Sequence, residues 1–235
     1  MLINNDANQN LLRDNSVDQV QYDIITLNSL IFDLIKIHNS FSYNMREINN
    51  LNLNKKLVKH ILNQIDETNT YLISYEFRSI LNEYVSELEF LTIDIDLEYT
   101  YNKLDFRLRI KQLESIIYKL IHYNTGKKEK GEIPLNKCLN DLLGFRVCVE
   151  GFDHDCSVFK EMCDFIAKDY KIRYRNSSKG EYRATHVYFY GDSNKNFPWE
   201  LQIWLPEDFK TNYESHEEHK QEYKKSAKIH KEAFK

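Results

Sequence analysis

For its first 125 residues the chain contains neither glycine nor proline; all six glycines lie at or after Gly126 and all three prolines at or after Pro134. Without these breakers the first part reads as helix after helix. Cysteine is scarce as well. Cys138, Cys148, Cys156 and Cys163 form no C-x-x-C pair. They are too few and too clustered for a disulfide scaffold, and they fit reduced thiols in a cytoplasmic protein. No run reaches ~18 apolar residues, which excludes a membrane-spanning helix. The opening residues Met1 to Asp6 lack the basic start and apolar run of a secretory signal.

Of the 235 residues, 42% are hydrophobic and 29% charged, a composition that supports a packed core and argues against wholesale disorder. The net charge of −4 is unevenly divided. Residues 1–100 hold 7 Lys and Arg against 15 Asp and Glu, whereas residues 101–235 hold 25 against 21. Anion-binding potential therefore lies in the second part. The acidic first part suits a neutralising, oligomerising or partner-binding element, and nothing in it chooses among these.

Apolar residues at helical spacing form three stripes: Ile24, Leu27, Ile31, Leu34 and Ile35; Leu57, Ile61 and Ile65; Leu81, Val85, Leu88 and Leu91. Asp14-Asn15-Ser16 and Asp66-Glu67-Thr68-Asn69 read as punctuation between them, and residues 1–15 as a frayed polar lead. Leu113, Ile116, Ile117, Leu120 and Ile121 predict a fourth helix over about 104–123. Thr125 to Glu132 is a solvated loop. Asp153 caps a predicted helix through Lys168, with Val158, Met162, Phe165 and Ile166 facing inward. Strands are predicted over Phe145–Val149, Ile172–Arg175, His186–Tyr190 and Glu200–Trp204. Strands interrupted by one helix, with helices before and after, define an α+β fold.

Four clusters hold residues suited to chemistry. Arg109, Lys111, Ser115 and Lys119 converge on a predicted helix start, where free backbone N–H groups and cationic side chains favour phosphate. Asp141, with Gly144 and Arg146 behind it, sits just ahead of an apolar strand, where a carboxylate can hold Mg²⁺. Lys179, Tyr182, Arg183 and His186 lie on a Gly-containing loop at the mouth of a strand. By the two-residue period Tyr182, Ala184 and His186 share a face, and an aromatic beside a cation suits a stacked base and its phosphates. Glu200 and Gln202 share one face of a strand, giving a second carboxylate to meet Asp141, grip metal or act as base. Each cluster alone is also compatible with an ordinary solvated or half-buried surface. His216-Glu217-Glu218-His219 is similar to a zinc-protease motif, but its histidines are three apart rather than four and no third ligand is apparent.

In order and spacing the four clusters resemble the synthetase domain of the RelA/SpoT family, the alarmone synthetases, which shows R-x-K-x-x-x-S-I-x-x-K, D-x-x-G-x-R, G-Y-R-x-x-H and E-x-Q-I-R. The segment from Tyr213 to Lys224 looks like that family's closing helix. The resemblance covers roughly residues 104–225. It implies a nucleotidyltransferase-like mixed sheet flanked by helices over 101–235, behind an all-helical region over 1–100. It also implies transfer of the pyrophosphate of ATP to the 3′-hydroxyl of GDP or GTP, with GMP a further acceptor, releasing AMP. By this resemblance Asp141 and Glu200 are the catalytic and Mg²⁺-holding carboxylates. Arg109, Lys111, Ser115, Lys119 and Arg146 bind ATP, and Lys179, Tyr182, Arg183, His186 and Gln202 bind the acceptor.

Three departures cluster on the acceptor side: Glu181 in place of the family glycine, Trp204 in place of the arginine after Gln-Ile, and no proline before Lys179. They leave open a toxin-type relative that uses adenine nucleotides or the 3′ end of tRNA. Lys220, Lys224, Lys225, Lys228, Lys231 and Lys235 would support RNA binding. A non-catalytic nucleotide-sensing module is a third reading, and retention of both carboxylates argues against it. The hydrolase domain of the long family members has no counterpart; the N-terminal region contains only His38 and His60.

Overall fold

The computed structural model describes residues 6–64, 71–126, 128 and 130–232; for 6–23, 64 and 226–232 the description is of the backbone. Its elements are α1 (Asp6–Asn44), β1 (Leu62–Gln64), β2 (Tyr71–Ile73), α2 (Tyr75–Asp94), α3 (Leu97–Thr100), β3 (Arg107–Ile110), α4 (Leu113–Ile121), α5 (Leu135–Cys138), β4 (Leu143–Cys148), α6 (Ser157–Ile166), β5 (Ile172–Asn176), β6 (Thr185–Phe189), β7 (Trp199–Trp204) and α7 (Phe209–Glu232). The fold is α+β. A five-stranded mixed sheet runs β3-β4-β7-β6-β5, with β4 and β7 parallel and the other pairs antiparallel. No helix among the described residues is long and apolar enough to cross a membrane.

α1 runs unbroken through Asp14-Asn15-Ser16. Those residues are only weakly unfavourable inside a helix, and no glycine or proline is present to stop it. The frayed lead is thus helical from Asp6, while residues 1–5 lie outside the described residues. The second stripe does not form a helix. Leu57 precedes a 3₁₀ turn over Val58–His60, and β1 pairs with β2 as a hairpin; Ile65 and the Asp66–Asn69 punctuation lie outside the described residues. The predicted helix over 104–123 begins as a strand. Phe106, Leu108 and Ile110 alternate with exposed Arg107 and Arg109, a two-residue period that suits a half-buried strand and overrides the helical pattern there. In α6 the inward face is Phe159, Cys163 and Ile166, whereas Val158 and Phe165 are 57% and 65% exposed. The helical face is turned by one residue because Phe159 packs edge-on against Phe152 and Tyr174.

The sheet has two unlike faces. Phe145, Val147, Val187, Phe189, Leu201 and Ile203 form a fully buried face that continues into the cores of α1 and α2. Trp199 fixes the stack. Its Nε1 donates to Tyr84 Oη on α2 at 2.9 Å, and its ring lies 4.6 Å from that of His38 on α1. His38 in turn bonds the Phe197 carbonyl oxygen at 3.0 Å.

Candidate active site

Register places the polar residues of the other sheet face in two rows. One row is Arg109, Gly144, Glu200, Tyr188 and Arg173; the next is Arg107, Arg146, Gln202, His186 and Arg175. Each row crosses all five strands and has an arginine at both ends. α4 and α7 pack together alongside.

At the head of β4, Asp141 lies between two lysines. Lys111 Nζ donates to Oδ2 at 2.6 Å and Lys119 Nζ to Oδ1 at 3.0 Å. Lys111 comes from the turn between β3 and α4, Lys119 from the buried side of α4. Burial opposes the charge on Asp141, but the Lys119 and Lys111 ammonium groups outweigh it and hold the carboxyl well below the usual carboxylate range. Burial likewise opposes the charge on Lys119, and Asp141 overcomes it, leaving that ammonium above the ordinary lysine value.

Glu200 is buried on β7. Its Oε1 meets His186 Nδ1 at 3.0 Å and its Oε2 accepts from Gln202 Nε2 at 2.7 Å. Burial would raise its pKa; the His186 ring, chiefly, brings it below the usual value, against the repulsion of Asp141. The other nitrogen of His186 lies 2.8 Å from Tyr182 Oη. Tyr182 stands ahead of β6 rather than in it, and its ring is edge-on to His186, Trp204 and His216. The two-residue face expected for Tyr182, Ala184 and His186 therefore does not apply: Ala184 is fully buried, while Tyr182 reaches His186 from the loop.

The remaining expected residues divide. The Arg146 guanidinium carbon lies 4.7 Å from the Trp204 ring centre and 4.9 Å from that of Phe209, and its row partner across β7 is Gln202. Arg109 is exposed on β3. Arg183 turns its head back onto its own loop, to the Gly180 and Tyr182 carbonyls, and so gives no cation over the Tyr182 ring. Lys179 is exposed, and Ser115 is half-buried on α4, its hydroxyl without a hydrogen bond among the described residues. The motif-like histidines separate: His216 stacks on Trp204 at 5.5 Å, whereas His219 meets Glu222 on the exposed side of α7. Burial pushes His216 down to about 4, more than offsetting the attraction of Glu200.

Sequence reading did not bring Tyr188, Arg173, Arg175 or Asn212 to the site, and singled out His216 only as half of a zinc-like pair with His219. The fully buried Asn212 holds Arg183 through both backbone groups, accepting from its N–H at 2.8 Å and donating to its carbonyl at 2.7 Å. Arg173 and Arg175 were legible as an alternation within the predicted strand. His216 and Asn212 reach the site only through the path of α7.

A mixed sheet with one charged face, a half-buried and a buried carboxylate at the heads of neighbouring parallel strands, and lysines around the first of them defines an α+β domain with an anion-attracting face. Residues 108–228 match the region found in RelA / SpoT proteins, and the chain belongs to that family. No curated protein matches it. Among solved structures it is similar to small alarmone synthetase 1 from Bacillus subtilis bound to its product pppGpp, at 20% identity over 64% of this chain and 88% of that chain, with a TM-score of 0.34. It is also similar to a GTP pyrophosphokinase family protein from Streptococcus pneumoniae, at 22% identity over 68% and 90%, with a TM-score of 0.33.

Proposed function

We propose that the chain is an ATP:nucleotide 3′-pyrophosphotransferase that moves the pyrophosphoryl group of ATP to the 3′-hydroxyl of GDP or GTP, with GMP a further acceptor. The observation that carries this reading is the pair of carboxylates, one held by two lysines and the other by a histidine and a glutamine, on a sheet face edged with arginines. The catalytic unit is 101–235, supported on its apolar face by 1–100.

In the reaction the acceptor O–H bond breaks, an O–P bond forms to the β-phosphorus, and the bond from that phosphorus to the α,β-bridging oxygen breaks. AMP leaves with the electron pair. Phosphoryl transfer is mostly positioning and charge neutralisation. Arg109, Lys111 and Lys119 bind the ATP phosphates, and Arg146 offers a fixed guanidinium plane beside them. Glu200, kept ionised by His186, takes the hydroxyl proton. Tyr182 and Gln202 position the acceptor.

Among the described residues no group of three or more His, Cys, Asp or Glu side chains forms a metal site by itself. Two carboxylates are nevertheless the donor set with which Mg²⁺ is held when phosphates and water complete its shell, so Asp141 and Glu200 fit it. The Asp141 oxygens both face lysines, and those lysines have a second partner in the incoming phosphates. When bound, the ion neutralises charge on the transferring group.

A second acceptor reading, an adenine nucleotide or the tRNA 3′ end, is favoured by Trp204 and His216, which pack around Tyr182 where the family pattern is broken. Of the basic run at the C-terminus, Lys235 lies outside the described residues. Transfer of ³²P from γ-labelled ATP to GMP, GDP, GTP, adenine nucleotides and tRNA, each offered separately, tests both readings. Label appearing on a guanine nucleotide with AMP released supports the first; label on adenine nucleotides or tRNA alone replaces it with the second. No transfer to any of them overturns the enzymatic assignment.

A further inference from the structure

Several cations of the site are held by oxygen. Lys111 and Lys119 share Asp141, Arg107 meets Asp105 at 2.8 Å, and Arg183 bonds the carbonyls of its own loop. Arg146, half-buried on β4, is held differently. Two aromatic rings, Trp204 and Phe209, lie within 5 Å of its guanidinium carbon, at 4.7 and 4.9 Å. Its side chain forms no ion pair or hydrogen bond among the described residues, and its buried Nε has no partner. A charge partly withdrawn from water and matched only by ring faces keeps its donors for an incoming anion.

The rings are themselves fixed. Trp204 closes β7 and is 2% exposed, with the His216 ring stacked on it at 5.5 Å. Phe209 opens α7. It lies edge-on to Trp204 at 5.9 Å and stacks on Tyr213, one turn further along the helix, at 6.4 Å. A strand end and a helix start thus converge on one guanidinium. Trp204 follows Glu200 and Gln202 on the charged face of β7, and it stands where the RelA/SpoT pattern has arginine. A second guanidinium there would repel Arg146, whereas the indole face attracts it. Arginine beside aromatic rings is often packing alone, its stem covering apolar surface. Here the missing anion and the unsatisfied Nε argue for more, because packing by itself leaves the cost of that buried donor uncompensated.

We infer that Trp204 and Phe209 are positioning residues that hold the Arg146 guanidinium, unpaired and oriented in advance, for the phosphates of the donor ATP. The inference rests on the ATP role proposed above for Arg146 and adds what aims it. Phosphoryl transfer gains from charge that is in place before the substrate arrives, and an arginine already immobilised loses less rotamer freedom on binding. Neither ring needs to touch ATP.

Calorimetry on the full chain tests it through double-mutant cycles, with α,β-methylene ATP, which cannot release AMP, as the probe and no acceptor present. Phe209 is 40% exposed, so its variants carry little risk to folding. Phe209→Leu should weaken binding about two- to fivefold, the scale of an exposed cation–π contact, and Phe209→Tyr, which keeps a ring, should restore it. In an Arg146→Gln background Phe209→Leu should cost nothing further. Trp204→Phe and Trp204→Leu both open space in the core, so their difference isolates the ring. Trp204→Leu should bind more weakly than Trp204→Phe with Arg146 present, and equally in the Arg146→Gln background. Packing alone would lower Tm and give the same loss in both backgrounds, which overturns the inference. Unchanged affinity in Phe209→Leu or in Arg146→Gln overturns it too. The two readings fail separately. If the cycles show coupling but no acceptor yields AMP, the transfer reaction is wrong and the positioning role stands. If AMP forms while the cycles show no coupling, the reaction stands and the positioning role falls.

Discussion

Asp141 and Glu200 stay ionised for different reasons, and the difference separates their variants. Asp141 is the counter-charge of two lysines, one of them buried. Asp141→Asn should reduce turnover by at least about 10²-fold, the scale of a lost catalytic group. It should also cost about 1–3 kcal/mol of stability, because Lys119 is left buried without its main partner. Glu200→Gln should cost a similar factor in rate with little change in Tm, since an amide still accepts from the Gln202 side chain. Steady-state kinetics with thermal melts checks both, and near-normal turnover in the two variants at saturating substrates would refute the roles. Tyr182 carries two separable contributions. Losing a stacking ring is worth roughly 1–3 kcal/mol, so Tyr182→Ala should weaken acceptor use about 5- to 150-fold with a much smaller effect on ATP. Ring retention alone predicts a mild Tyr182→Phe; the 2.8 Å contact with His186 changes that. A net hydrogen bond of about 0.5–1.5 kcal/mol puts the loss at roughly two- to twelvefold in acceptor kcat/KM.

At the scale of elements, β4 and α7 meet different demands. Gly144 faces the site between Arg109 and Glu200, and a Cβ there would meet only the Arg109 carbonyl oxygen, at 3.9 Å. Gly144→Ala should therefore leave Tm nearly unchanged while intruding on the floor proposed for the phosphates, lowering turnover; unaltered kinetics would show that the floor is unused. α7 is tied by Asn212 to the loop carrying Arg183, proposed above to hold the acceptor. Asn212→Ala strands a backbone N–H and C=O, costing about 1–3 kcal/mol for each buried group left unsatisfied, and should raise the acceptor KM more than that of ATP. The sheet was largely legible, because β4, β5, β6 and β7 announce themselves by alternation and β-branched or aromatic content. β3 was not, because Leu108, Ile110 and Leu113 satisfy helical and strand periods over the same few residues, and pairing with β4 decides between them. In the same way the carboxylates and lysines were legible as motifs. The side chains that support them were not: His216 and Asn212 depend on where α7 crosses, a tertiary fact that no local pattern encodes.

At the scale of the whole molecule, burial lowers the pKa of three histidines, His38, His154 and His216, and the first and last are shifted furthest and weigh most on the expected response to acid. His38 sits between α1 and β7 and His216 between α7 and β7; burial pushes each down to about 4, against an ordinary value near 6.5. Between those two values the unfolded chain binds more protons than the folded one, so stability rises with pH across that window and falls as the solution is acidified. The contribution is fully present above about pH 6.5, and at pH 5 each histidine has lost about 2 kcal/mol of it. Asp141, whose carboxyl is depressed, acts in the same direction but only below the ordinary carboxylate value of about 3.9, so the two effects are separated in pH. His38 is the cleaner probe, being 1% exposed and packed on Trp199, on the sheet face opposite Glu200, with Asp192 only a minor influence on it. His38→Gln cannot titrate and keeps a donor for the Phe197 carbonyl. Its Tm at pH 7 is expected to be lower than that of the wild type, because the Trp199 ring loses its partner, yet its decline from pH 6.5 to 4.5 should be shallower. Parallel Tm curves for the two proteins over that range would show that His38 does not govern the acid sensitivity of the fold.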